Sequence, residues 1–292
     1  MNKLKKARIF RKYIFYYLPN DRYIGQRIAL EKYEPYETQL ILRQAKSGDV
    51  VVDVGANIGY YTVLLANKVG VAGKVFAFEP DKTNFEILIK NIKTNNLKNV
   101  VAVNTAVGSK NGTKVLYKSE ENLGDHKLYE TLCPSDTSLD PPKANAFRRA
   151  GEKEEVKIIK LDDFLANTKV DLMKIDTQGW EPEVIEGAKS IIKNYKPTIF
   201  FEYSPASYKA AKLDGDKMMK FIKNIYKNIW WIDEWVYIYK NLSKEKIDEI
   251  CQTNKTGYAD LWVKKNLSLN DKIGRIRNFK VKKWVKRNVF RI

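Results

Sequence analysis

The stretch Asp53-Val54-Gly55-Ala56-Asn57-Ile58-Gly59 puts an acid, an amide and two glycines at one junction. It follows the apolar run 50–52 and precedes the apolar run 60–65, so a buried strand is predicted to turn through glycine into a helix. Glycine at 55 and 59 frees the backbone to turn tightly, and the helix start beyond it carries partial positive charge. A dinucleotide loop needs G-x-G-x-x-G, whereas Asn57 replaces one of those glycines here, so a pyrophosphate fits less closely. Asp53 repels a diphosphate and suits an ammonium group. The next predicted strand ends in Glu79-Pro80-Asp81, and a carboxylate about 20 residues beyond such a loop is placed to accept ribose hydroxyls.

These residues need strands to carry them. Between 49 and 203 the pattern alternates, with strands predicted at 50–55, 74–80, 99–108, 171–177 and 197–205 and shorter ones at 113–118 and 156–161. Helical spacing falls between them, as with Phe85, Leu88, Ile89 and Ile92. Alternation of this kind predicts a parallel sheet with helices on both faces and ligands beyond the carboxyl ends of its strands. After Pro205 the order changes to a helix near 216–227, strand-like runs at 228–240 and 259–265, and a short helix at 243–251. An antiparallel edge is predicted there. The segment 119–150, rich in Pro, Ser, Asn and Asp, reads as a long loop.

The net charge of +18 is concentrated at the ends: residues 1–20 carry six Lys/Arg and residues 272–292 carry nine, neither with an acid. Both ends interleave apolar residues with the cations (Ile9, Phe10, Ile14 and Phe15; Ile273, Ile276, Trp284, Val285, Val289 and Ile292) and read as basic amphipathic helices suited to an anionic membrane surface. No run has the length of a membrane-spanning helix, and the basic start lacks the apolar core of a signal peptide. Cys133 and Cys251 form no metal or disulfide pattern, so a cytoplasmic setting is expected, with peripheral association at the inner membrane face.

Four stretches, "VVDVGANIGYYT", "VFAFEPDKTNFEILIKNI", "VNTAVGSKNGTKVLY" and "LDDFLANTKVDLMKIDTQGWEPEVIEGA", resemble the FkbM family of class I S-adenosylmethionine-dependent methyltransferases. The last is similar to the family's K-I-D-x-E-G-x-E-x-x-V-L-x-G-A pattern, with "TIFFEYSP" following. The similarity covers 45–265, the expected methyltransferase domain, with a loop insertion at 119–151, a basic helical segment at 1–44 and an amphipathic tail at 266–292. It implies a Rossmann-like α/β fold: a seven-stranded, mostly parallel sheet with an antiparallel edge and helices on both faces. It also implies S-adenosylmethionine as cofactor and methyl transfer to oxygen, often a sugar hydroxyl. By position, Asp53, Gly55, Ala56, Asn57 and Gly59 would hold the methionine part, Glu79 and Pro80 the ribose, Asn104 or Thr105 the adenine, and Asp176 would face the sulfonium. Gln178 departs from the family's glutamate, and an amide carries no base role.

An activated methyl needs an oxygen aligned with it and a group to take the proton. His126 or Asp176 is the expected base, with Asp125 beside them and Glu181 and Glu202 as rival acids. Gln178, Glu181, Glu202 and Phe147 are candidates for the acceptor, and no metal-ligand spacing is present. The expected partner is a saccharide or glycolipid. The competing reading is an RNA methyltransferase whose basic ends hold phosphates.

Overall fold

A computed structural model describes residues 3–119, 122, 124–130, 150–233, 238–254 and 256–265. Its first half runs β1 (Lys5–Ile9), β2 (Tyr13–Tyr17), α1 (Gly25–Ala29), α2 (Pro35–Gln44), β3 (Val50–Val54), α3 (Tyr60–Val69), β4 (Lys74–Phe78), α4 (Lys82–Thr94), β5 (Val100–Val103), β6 (Ala106–Val107) and β7 (Gly112–Ser119). The second half runs β8 (Ala150–Ile159), α5 (Leu161–Phe164), β9 (Leu172–Ile175), α6 (Glu181–Gly187), α7 (Lys189–Tyr195), β10 (Thr198–Tyr203), α8 (Pro205–Ala210), α9 (Gly215–Ile225), β11 (Ile229–Asp233), β12 (Ile238–Asn241), α10 (Lys244–Thr253) and β13 (Ala259–Val263).

The main sheet has the order β12-β11-β13-β10-β9-β3-β4-β5. Strands β10, β9, β3, β4 and β5 pair in parallel, while β13 runs antiparallel to both β10 and β11. The seven expected strands are therefore present, and β12 adds an eighth at the edge, antiparallel to β11. The antiparallel strand β13 sits two places inside that edge, because β11 leaves a gap beside β10 that the returning chain fills. The predicted strand at 99–108 divides at Asn104-Thr105: its first half stays in the main sheet, and β6 joins a small sheet of order β6-β8-β7.

Alternate residues of the central strands point to opposite faces. Val51, Leu172 and Phe200 pack with α2 and α3 residues such as Leu40, Ile41, Leu64 and Leu65. Val52, Met173, Ile175 and Phe201 pack on the other face with Val184, Ile192, Met219 and Ile222 from α6, α7 and α9. Burial on both faces explains why these strands read as unbroken apolar runs. Across β10, β13 and β11, Phe200, Trp262 and Trp230 lie in register, with ring centroids 5.6 and 6.0 Å apart.

The amino-terminal segment departs from expectation. Residues 5–17 form an antiparallel hairpin instead of a basic helix, turning at Phe10 and Arg11 with φ of 48° and 55°. Tyr13, Phe15 and Tyr17 alternate inward, a period-2 pattern of strong strand formers, and they join the core together with Ile9 and Phe10. The free edge of β2 is closed by a helix. The Ile14 N–H donates to Asn95 Oδ1 at 3.0 Å and Asn95 Nδ2 returns a bond to the Ile14 carbonyl; the Tyr16 N–H and carbonyl do the same with Asn91 at 2.7 and 3.1 Å. Four residues of helix rise about 6 Å and two of strand about 6.7 Å, so one turn of α4 offers amides at strand spacing. Of the apolar residues expected to meet a membrane at this end, Ile9, Phe10 and Phe15 are thus inside and Ile14 is half-buried, while Lys5, Lys6, Arg8, Arg11 and Lys12 stay exposed.

Among the described residues no helix is long and apolar enough to cross a membrane. Cys251 is free and buried. The tail 266–292 and Phe147, both singled out from sequence, lie outside the described residues.

Candidate active site

The loop after β3 is held from two sides. The N–H groups of Gly55 and Ala56 both donate to the Phe78 carbonyl at 3.0 Å, and Asn57, with φ of 49°, donates its N–H to Glu79 Oε2 at 2.8 Å. Glu79 Oε1 accepts from the Asp81 N–H at 2.9 Å. Glu79 is therefore a clip that joins the ends of β3 and β4, and burial, with Asp81 and Asp53 nearby, pushes its carboxyl up to about 8. Each oxygen keeps lone pairs for a further donor. On the opposite side, a Cβ on Gly55 would lie 1.8 Å from the Asp176 carbonyl oxygen, so the loop rests directly on the segment after β9. The Asp176 N–H also donates to the Val54 carbonyl at 3.0 Å.

The two residues expected near an adenine differ in position. Asn104 Nδ2 donates to the carbonyls of Glu79 (2.8 Å) and Pro80 (2.9 Å), bracing the turn after β4. Thr105 is buried, and its hydroxyl donates to the Lys157 carbonyl at 2.8 Å, which ties β5's end to the small sheet.

Asp53 is 1 % exposed and its Oδ2 accepts from the Thr62 hydroxyl at 2.5 Å, fixing the first turn of α3 to β3. Burial pushes its carboxyl up to about 6. Asp176, its side chain 23 % exposed, has a donor on each oxygen: Lys174 Nζ at 3.0 Å on Oδ2 and Gln178 Nε2 at 2.7 Å on Oδ1. Gln178 holds φ of 54°, so the amide at this position orients the acid. Glu181 is fully buried and accepts from the Thr177 N–H (2.8 Å), the Thr177 hydroxyl (2.9 Å) and the Gly179 N–H (3.1 Å). It shapes the loop after β9, and burial lifts it to about 7. Half-buried Glu202, at the end of β10, is raised well above the usual carboxylate range by burial and by the charges of Asp176, Glu181 and Asp260.

His126 is placed elsewhere, at the turn after β4. Its side chain is 9 % exposed, Nδ1 accepts the Ser119 N–H at 3.0 Å, and Nε2 lies 3.9 Å from Asp81 Oδ2. Burial lowers its pKa against the pull of Asp81, so the imidazole is neutral with the proton on Nε2. Asp81 also caps α4 through the Asn84 N–H and pairs with Lys118 at 3.0 Å, which in turn holds Glu154. Asp125 pairs with Lys127 at 3.1 Å.

Several residues of the site escaped the sequence reading. Lys174 is 5 % exposed and lies between Asp176 and Glu37, the latter at 4.0 Å, with the Tyr61 ring 4.9 Å away. The Tyr61 hydroxyl donates to Glu34 Oε2 at 2.7 Å. The Tyr129 hydroxyl donates to the Gln178 carbonyl at 3.1 Å and fills the space beside Gly179. A lone lysine in the apolar strand 171–177 was a signal for the first; Glu34, Glu37 and Tyr129 carried none. No trio of acids, histidines or cysteines forms a metal cage among the described residues.

A model of the family described as "Methyltransferase FkbM domain" matches residues 53–258. The chain is 28% identical over 169 residues to a methyltransferase, sdnD, of Sordaria araneosa, an alignment covering 48% of this chain and 61% of that relative's length. Its structure is similar to an FkbM methyltransferase from Methylobacillus flagellatus, with 13% identity and a TM-score of 0.44 over 77% of this chain and 50% of the other. It is also similar to an rRNA methylase so described from Clostridium thermocellum, with 15% identity and a TM-score of 0.41 over 79% and 95% of the two chains.

Proposed function

Because the chain belongs to the FkbM methyltransferase family, we propose that it moves a methyl group from S-adenosylmethionine to an oxygen, a saccharide hydroxyl of a surface glycan or lipid-linked sugar. The observation that carries this reading is the junction of three strand ends. The glycine loop, the Glu79 clip and Asp176 meet there, with Gly55 pressed on the Asp176 carbonyl. The residues fit the donor. Asn57 and Gly59 open α3 for its carboxylate, Asp53 and Asp176 supply negative charge for its ammonium and sulfonium, and Glu79 retains acceptor capacity for the ribose. When bound, the donor supplies an electrophilic methyl group.

The chain's own task is to orient the acceptor and hold its proton. Asp176 is the residue assigned to that task, because it stands at the strand end while His126 is engaged at the Asp81 turn. The half-buried carboxylate of Asp176 repels a phosphodiester, and the half-buried acids Glu34 and Glu202 beside it offer a phosphate no cation, which favours a neutral sugar over RNA. The exposed cations of the β1–β2 hairpin suit an anionic leaflet, and attraction of roughly 1 kcal/mol per cation would keep the enzyme near a lipid-linked acceptor. The test supplies labelled S-adenosylmethionine to the glycolipid, RNA and protein fractions of the host. Label in the glycolipid fraction is expected; label only in RNA overturns the reading.

A further inference from the structure

We propose that Lys174 is a positioning residue: its buried ammonium keeps Asp53 ionised and so sets the charge that receives the methionine end of the donor, an assignment that rests on the donor reading above. Asp53 and Lys174 are direct partners in the β3–β9 register, which puts both side chains on one face of the sheet. Lys174 Nζ lies 3.0 Å from Asp176 and 4.0 Å from Glu37. A lysine buried to this degree is costly unless anions surround it. Burial lowers its pKa, but Asp176, Glu37 and Glu34 outweigh that and hold it well above the usual lysine value. It is an ammonium at every working pH.

Asp53 faces Thr62 from α3, Glu79 from the end of β4, and Lys174 and Asp176 from β9 and its end. Lys174 faces Glu34 and Glu37 at the start of α2, Glu202 from β10, and the Tyr61 ring. Among these groups Lys174 is the one cation. Without it, Asp53 would keep the burial and the like charges that raise its carboxyl and lose the ammonium that lowers it. A covered aspartate acts on a bound ammonium through charge alone, so its protonation state decides the interaction.

The experiment compares the calorimetric affinities of S-adenosylhomocysteine and methylthioadenosine between about pH 5 and about pH 8.5. Both carry the nucleoside, so the titration of Glu79 cancels in their ratio, and only the former carries the amino-acid end. In the wild type the preference for S-adenosylhomocysteine should fall about tenfold as pH drops through about 6, and Asp53→Asn should flatten the curve. In Lys174→Met the fall should move up by about one pH unit or more, and Lys174→Arg should return it. Glu37→Gln, a milder change, removes an anion from the same group and should move the fall downward. An unmoved midpoint in Lys174→Met, or an upward or unmoved one in Glu37→Gln, overturns the assignment. A wild type that binds S-adenosylhomocysteine at no pH overturns the donor reading and this assignment with it.

Discussion

Replacing Gly55 by alanine tests the contact on which the whole site depends, and Gly59→Ala supplies its control. Both glycines occupy the left-handed region, with φ of 80° and 89°, so both substitutions incur the same backbone cost of about 1–2 kcal/mol. They differ in what the new methyl meets. At 59 it lies 2.5 Å from Leu88 Cδ1, the tip of a side chain that can turn away. At 55 it lies 1.8 Å from a backbone carbonyl, and reaching even 3.0 Å requires β3 and the segment after β9 to separate by about 1.2 Å. That separation breaks the bond from the Asp176 N–H to the Val54 carbonyl, worth about 0.5–1.5 kcal/mol, and adds overpacking strain of about 1–3 kcal/mol. Gly55→Ala should therefore lose about 2.5–6.5 kcal/mol in urea unfolding and bind S-adenosylhomocysteine at least tenfold more weakly. Gly59→Ala should lose about half as much stability. Equal losses in the two variants, or a loss under about 1 kcal/mol for Gly55→Ala, would refute the reasoning, because the backbone cost alone would then account for both.

Asn91→Ala removes both bonds to Tyr16 and a third to the Ile58 carbonyl, and should lower stability by about 2–4 kcal/mol, read as a fall in melting temperature. Glu79 has its folded pKa raised from 4.5 to about 8, so its contribution to stability is fully present below about pH 4.5 and is lost as pH rises toward 8. Relative to wild type, Glu79→Gln should accordingly gain stability steadily between those limits in denaturant titrations at fixed pH. Asp176→Asn should cut methylation of the labelled fraction by about a hundredfold or more while S-adenosylhomocysteine, which lacks the sulfonium charge, still binds, whereas His126→Ala should cost under about tenfold. Near-normal turnover in Asp176→Asn sinks the base assignment. Reversing Lys5, Lys6 and Arg8 to glutamate should abolish sedimentation with vesicles rich in phosphatidylserine; unchanged sedimentation removes the hairpin from membrane contact.

The central strands and the glycine turns were legible because their signals are local: apolar runs bounded by glycine, and an acid closing each of two strands. Glu79 and Asp176 were found for that reason. Their partners were harder, since Asn57, Asn104 and Lys174 reveal their roles only once β3, β4 and β9 lie side by side. The hairpin was misread because Ile9, Phe10, Ile14 and Phe15 satisfy helical spacing while Tyr13, Phe15 and Tyr17 satisfy a period of two. What settles the choice is an asparagine pair some 75–81 residues away, and no local window contains it. Thr105 looked like a ligand contact because it follows a strand, yet the residue of β8 that takes its hydroxyl, Lys157, lies 52 positions on.

The asparagine seam on α4 also bears on how this protein can be divided. The family match begins at residue 53, but the aromatic inner face of the hairpin shares one core with β3 and α3, and Glu34 and Glu37 reach the site from the same preceding segment. An excised fragment trimmed to the family boundaries would leave Asn91 with no strand to bind, bare Tyr60 and Leu64 to water, and strip Lys174 of half its anions. The unit recognised by descent is thus smaller than the unit that folds.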